Sequence, residues 1–166
     1  MKKTIHAVLA AAAFAVSAGV LAQTPPPPPP PPPYGESIGV EAARKATAAA
    51  IAESKKNNWF MAVAVVDTGG NLVYFERQDG TQNGSTWVAV DKAKSSVNFR
   101  RPAKAFEDVL AAGGGGLRIL GLSGAVPIEG GVPIVANGKI IGAIGTSGGT
   151  AQQDGVVAAA GINAIK

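Results

Sequence analysis

The chain has 166 residues, a formal net charge of +4 at pH 7 and no cysteine. Its single histidine is His6, so the rest of the chain has no thiol nucleophile, no imidazole base and no Cys/His zinc site. Hydrophobic residues make up 46% of the chain and charged residues 16%, which excludes a disordered polyelectrolyte and fits one globular domain. The weak positive charge also argues against nucleic-acid binding.

Residues 1–22 have the pattern of a secretory signal peptide. Lys2 and Lys3 precede an apolar run at 7–21, and small residues at 20–22 suit a cleavage site. The apolar run is shorter than the roughly 20 residues that a membrane span needs. We therefore expect a periplasmic or secreted protein without a membrane span.

Residues 23–36 are predicted to be a linker dominated by nine consecutive prolines, Pro25 to Pro33. Such a run favours the stiff polyproline II conformation and would span about 28 Å. A tether for the folded domain at 37–166 is the favoured interpretation. A ligand for a proline-recognising partner is the alternative.

The domain is predicted to be α+β with a mainly antiparallel sheet, because hairpins cluster at each end of it. The element order is α-β-β-α-α-β-β-β-α. Helices are expected at 41–56, 85–97, 104–112 and 151–164. Strands are expected at 59–66, 72–77, 126–128, 132–135 and 139–146.

Several motifs invite a functional interpretation beside a structural one. The segment Phe99-Arg100-Arg101-Pro102 places two guanidiniums beside an aromatic ring, which suits a flat anionic ligand or simply complements a helix dipole. The glycines at 142–149 can bind an anion at a helix N-terminus or permit close packing, and packing is favoured. The four glycines at 113–116 are interpreted as a mobile loop. Lys92 and Lys94 cannot both face one site. Either one can be functional, but the favoured interpretation is that both are ordinary solvated charges.

Three phrases together resemble the GlcG/HbpS family of haem-degrading or haem-binding domains. They are AVAVVDTGGNL at 62–72, DKAKSSVNFRRP at 91–102, and GGVPIVANGKIIGAIGTSG at 130–148 followed by Gln153-Asp154. The resemblance spans about residues 38 to 166. It implies a profilin-like three-layer α/β/α sandwich with a five-stranded sheet, assembly into homo-oligomers, and haem or a related tetrapyrrole as ligand.

We therefore expect a non-enzymatic small-ligand binder in which arginines hold ligand carboxylates, glycines let the backbone approach, and Phe99 supplies an apolar face. No catalytic residue and no metal ligand is assigned. Two alternatives stay open: a cofactor-dependent enzyme of haem or small-acid metabolism, with Asp67 or Asp154 assisting proton transfer, and a ligand-free periplasmic accessory protein. The ligand-binding residues expected are Phe99, Arg100, Arg101, Gly130, Gly131, Gly145, Gly148 and Asp154.

Overall fold

The computed structural model describes residues 28–166. The predicted signal peptide and the first part of the linker lie outside the described residues. The helices are α1 (Val40–Lys56), α2 (Ser85–Asn98), α3 (Ala103–Ala111) and α4 (Ala151–Asn163), with a 3-10 helix at Gly114–Gly121. The strands are β1 (Ala62–Val66), β2 (Leu72–Arg77), β3 (Gly131–Ala136) and β4 (Lys139–Ser147). Within residues 28–166, no helix combines the length and apolarity needed to cross a bilayer.

The strands form one sheet in the order β2-β1-β4-β3, and every neighbouring pair is antiparallel. The α+β class and the antiparallel sheet are thus confirmed. The expectation of five strands is wrong, because the described chain forms a four-stranded sheet. Tyr34 adds an isolated parallel bridge to Ile140 of β4, next to the end of β1.

The segment at 126–128 is not a strand, for a reason that lies in its hydrogen bonds. Pro127 has no amide proton to contribute to a ladder. The amide of Val126 donates to Ser95 Oγ at 3.0 Å, and the amide of Glu129 donates to Glu107 Oε2 at 2.6 Å. The segment therefore crosses beside α2 and α3, bonded to their side chains and not to the sheet.

Helices cover both faces of the sheet, and β1 shows why. Val63 and Val65 point to one face, where they pack in the cluster formed by α1 and α4. Ala62 and Ala64 point to the opposite face, where they pack against Ala89 of α2. This alternation is the two-residue period of a strand buried on both sides.

Turn chemistry fixes both hairpins. Asp67 Oδ1 accepts hydrogen bonds at 2.8 Å from the amides of Gly69 and Asn71 in the β1–β2 turn. The side-chain hydrogen bond from Asn71 lowers the pKa of Asp67 below its usual value, with the backbone amides acting in the same direction against the cost of burial. Asn137 and Gly138 both have positive φ, as the predicted β3–β4 turn requires. Asp67 is therefore engaged in holding a turn.

Small residues let α2 lie close to the sheet, and Gly145 is the tightest of them. A Cβ added at Gly145 would collide with the carbonyl oxygen of Ala89 and approach the amide nitrogen of Ala93 to 2.6 Å. Both collisions are with helix backbone, which cannot move aside without displacing α2.

We expect Gly145→Ala to lower the free energy of unfolding by about 2–3 kcal/mol, measured by urea denaturation, because the added methyl overpacks the α2 interface. Gly121→Ala is the matched control, since nothing lies within 4 Å of its Cβ position. The free energy of unfolding of that control should differ from the parent's by less than about 0.5 kcal/mol. Equal effects of the two substitutions would contradict the packing described.

Candidate functional site

Lys92, in the middle of α2, is a buried cation. Its side chain is 1% exposed and its ammonium lies 2.6 Å from Asp154 Oδ2. The ammonium also donates a hydrogen bond to the carbonyl oxygen of Glu129 at 2.6 Å, and Asp154 Oδ1 accepts one from the amide of Gly149 at 3.1 Å. The ion pair therefore ties α2 to α4 and to the loop before β3.

The surroundings of Asp154 do not favour a role in proton transfer to a dissolved substrate. Burial raises the pKa of Asp154 because desolvation penalises the charged carboxylate, while the hydrogen bond and the charge of Lys92 oppose that rise. Its side chain is only 4% exposed. Asp154 and Lys92 thus form a buried ion pair in which each side chain is the charged partner of the other.

The interpretation of Lys92 as a solvated charge is wrong, whereas Lys94 is exposed. The expectation that the two side chains face different ways is correct. A signal for Lys92 was present in its spacing: Ala89, Lys92, Ala93 and Ser96 occupy positions i, i+3, i+4 and i+7 of one helix face, and all four are buried. The deciding partner, Asp154, is 62 residues away in the chain and could not be inferred from that spacing.

The structure brings Gly130, Gly131 and Gly145 together around α2, and the protein itself fills the space that they leave. A Cβ at Gly130 would lie 2.9 Å from Lys92 Nζ, and one at Gly131 would collide with the Lys92 carbonyl oxygen. Gly148 packs against the backbone of Phe60 in the same way. The close approach that these glycines permit is therefore between elements of the fold.

Phe99, Arg100 and Arg101 form a separate group at the C-terminal end of α2, about 10 Å along the helix from Lys92. The rings of Phe99 and Phe106 meet edge to face with centroids 5.3 Å apart. The guanidinium of Arg101 lies over the Phe106 ring at 5.4 Å, and that of Arg100 lies over the Tyr34 ring at 5.7 Å. Each guanidinium thus makes a cation–π contact, in which the face of the aromatic ring attracts the positive charge.

Arg100 adopts a left-handed backbone conformation with φ of 52°. Its amide donates to the Val97 carbonyl at 3.2 Å, and the Arg101 amide donates to the Ser96 carbonyl at 3.2 Å. This pair of bonds is the Schellman motif, in which the left-handed position is usually glycine. A side chain there costs about 1 kcal/mol, and such strain often marks a functional residue.

A cavity of about 360 Å³ lies beside the two arginines, lined by Pro28, Pro29, Pro30, Pro31, Arg100, Arg101 and Ala105. Within residues 28–166, neither guanidinium forms an ion pair with a carboxylate. Each can therefore offer donors to an external carboxylate, which a guanidinium binds in bidentate fashion. In the same part of the chain, no group of three His, Cys, Asp or Glu residues is placed to hold a metal ion.

A larger cavity, about 440 Å³, lies where the chain enters the domain, with Gly35, Ser37 and Asn137 in its lining. Its charged lining residues are Lys139 and Glu36, which have opposite signs. It lacks the paired, uncompensated positive charge of the arginine site. The arginine site is therefore the better candidate for an anionic ligand.

Known proteins are similar to this chain in sequence and in fold. Protein GlcG of Escherichia coli (strain K12) is 37% identical over 95 residues, covering 57% of this chain and 69% of GlcG. A double mutant of HbpS from Streptomyces reticuli has a TM-score of 0.73 at 29% identity, covering 95% of this chain and 99% of that one. The crystal structure of a PduOC:heme complex has a TM-score of 0.71 at 25% identity, covering 78% of this chain and 96% of that one.

A family model described as "Haem degrading protein HbpS-like" matches residues 38–163. This match begins just before α1 and ends at the last residue of α4, so it includes the whole sheet and all the helices. It confirms the resemblance drawn from the three sequence phrases, and the chain belongs to the HbpS-like family.

Proposed function

We propose that this protein binds haem or a related tetrapyrrole at the site formed by Phe99, Arg100 and Arg101. The observation that carries the proposal is the pair of guanidiniums, each stacked on an aromatic ring and neither paired with a carboxylate in residues 28–166. A tetrapyrrole is a flat apolar ring with carboxylate side chains. It therefore matches a cavity whose lining combines apolar proline and alanine side chains with two guanidinium groups as donors.

The described residues suit the carboxylate edge of a porphyrin better than its iron. The chain between residues 28 and 166 contains neither histidine nor cysteine. Met61 is fully buried, and the Tyr34 hydroxyl already donates to the Val97 carbonyl oxygen at 2.8 Å. Haem would bring redox chemistry when bound, whereas this chain's own residues would bind and orient it.

Export and self-assembly belong to the same proposal. The charged and apolar pattern of residues 1–22 supports export to the periplasm or the medium. Exposed apolar side chains support assembly into a homo-oligomer, because a contiguous apolar patch usually marks an interaction surface. Leu72 at 51% and Trp87 at 70% exposure line one surface pocket together with Phe75 and Val90.

The description of the family favours haem degradation as a second candidate function. Incubation of the haem complex with ascorbate and oxygen separates the two candidates. Stable haem absorbance indicates a binder, whereas loss of haem with formation of a bile-pigment-like product indicates a degrading enzyme.

Titration with haemin and with metal-free protoporphyrin IX tests the binding site. We expect a saturable Soret shift or fluorescence change with the full chain, and about tenfold weaker binding in Arg100→Ala and in Arg101→Ala, because each loses a charged hydrogen-bond donor. Arg44→Ala is the matched control, since Arg44 lies over Tyr74 at 5.6 Å in a similar stacked arrangement on α1. No spectral change, or equal affinities for all three variants, would refute the site.

The strained backbone at Arg100 gives a second test. Arg100→Gly should be about 1 kcal/mol more stable than Arg100→Ala, because only glycine relieves the left-handed conformation once the side chain is gone. At Arg101 the order should reverse by about 0.5–1 kcal/mol, since glycine there only adds freedom to the unfolded chain. Thermal unfolding of the four variants measures both differences, and the same order at both positions would contradict the assignment.

A further inference from the structure

The proline segment is held against the arginine site by an anchor on both sides of Tyr34. The amide of Ile140 in β4 donates to the Pro33 carbonyl at 2.8 Å, and the amide of Gly35 donates to the Ile140 carbonyl at 2.8 Å. The Tyr34 hydroxyl donates to the Val97 carbonyl at 2.8 Å, and the Asn98 carbonyl lies 3.3 Å away. Tyr34 therefore joins the start of the domain to the end of α2.

This anchor also orients the segment that precedes it. Consecutive prolines form a stiff helix whose direction persists over several residues, so a fixed Pro33 sets the course of Pro28–Pro31. Those prolines line the same cavity as Arg100, Arg101 and Ala105. Pro31 and Pro32 are partly buried, in contrast to the exposed Pro28, Pro29 and Pro30.

We propose that Pro28–Pro31 form the second wall of the ligand site, facing the two guanidiniums across the cavity. This inference rests on the proposed function and assigns a binding role to the linker. Proline rings are rigid and apolar, and they have no amide proton that would need a partner when water is excluded. The wall is ordered before the ligand arrives, so binding does not have to pay for ordering it. The site suits a flat molecule that exposes a ring face to the prolines and a carboxylate to the arginines.

A variant with glycine in place of all four prolines, Pro28→Gly to Pro31→Gly, tests the wall. The full-length variant should bind protoporphyrin IX about tenfold more weakly than the parent, because a glycine segment must lose its freedom on binding. Metal-free porphyrin is the preferred probe, since its binding does not depend on iron coordination. Unchanged affinity would overturn the inference, and so would higher affinity, which would mean that the segment obstructs the site.

Tyr34→Phe tests the anchor without changing the wall itself. Loss of the hydroxyl releases the hydrogen bond to Val97, and we expect about threefold weaker binding of protoporphyrin IX. Tyr74→Phe is the matched control, because Tyr74 is the other tyrosine stacked under an arginine. An affinity of Tyr34→Phe equal to that of Tyr74→Phe would contradict the role of the anchor.

Labelling of arginines with phenylglyoxal, followed by mass spectrometry, separates failure of this inference from failure of the proposed function. If the parent protein binds neither porphyrin, the proposed function falls, but the wall can still be detected. Arg100 and Arg101 should then react several-fold faster in the four-glycine variant, with Arg44 reacting at the same rate in both proteins. Equal rates at Arg100 and Arg101 in the two proteins would rule out the wall.

Discussion

The buried ion pair between Lys92 and Asp154 fixes how the layers of this domain meet. Removing two opposite charges from water is costly, and the cost is offset only when each charge has well-placed partners. Lys92 has them in Asp154 and in the Glu129 carbonyl, and Asp154 also accepts a hydrogen bond from the Gly149 amide. Since these partners lie before β3 and at the start of α4, α2 can take only one rotation about its axis.

The position of α2 in turn places the arginine site. Phe99 directly follows the last residue of α2, and the left-handed turn after it places Arg100 over Tyr34 and Arg101 over Phe106. The two guanidiniums are held by ring contacts and not by carboxylates, so they keep their capacity to bind an anion. The charges of Lys92 and Asp154 neutralise each other in the interior, whereas Arg100 and Arg101 have no carboxylate partner in residues 28–166. This contrast is why binding is assigned to the end of α2 and not to its centre.

Local signals in the sequence were sufficient for much of the fold. The β1–β2 hairpin, the Asn137-Gly138 turn and the break at Pro102 each depend on neighbouring residues, and each agrees with the structure to within a few residues. The segment at 126–128 has the composition of a strand, but the amides of Val126 and of the following Glu129 donate to Ser95 and Glu107, which are distant in sequence. The glycines at 113–116 begin a 3-10 helix and not the expected mobile loop.

The candidate site was predictable only in part, because some of the contacts that form it join residues that are distant in the sequence. The motif of Phe99, Arg100 and Arg101 is contiguous, so its aromatic and cationic chemistry can be recognised directly in the sequence. The partners of that motif are Tyr34 and Phe106, and the former lies far away in the chain. Gly130, Gly131 and Gly145 have the composition of a ligand-binding backbone, yet only the packed structure shows that α2 occupies the space beside them.

A double-mutant cycle on Lys92 and Asp154, measured by urea denaturation, tests the central claim most directly. Lys92→Met and Asp154→Asn should each lower the free energy of unfolding by about 3–5 kcal/mol, because each leaves a buried charge without its partner. The loss in the double variant should be smaller than the sum of the two single losses by at least about 1 kcal/mol. Lys104 and Asp108, an exposed pair on α3, are the matched control, and their substitution should lower the free energy of unfolding far less than substitution of the buried pair. Additive losses as small as those of the surface pair would contradict the account.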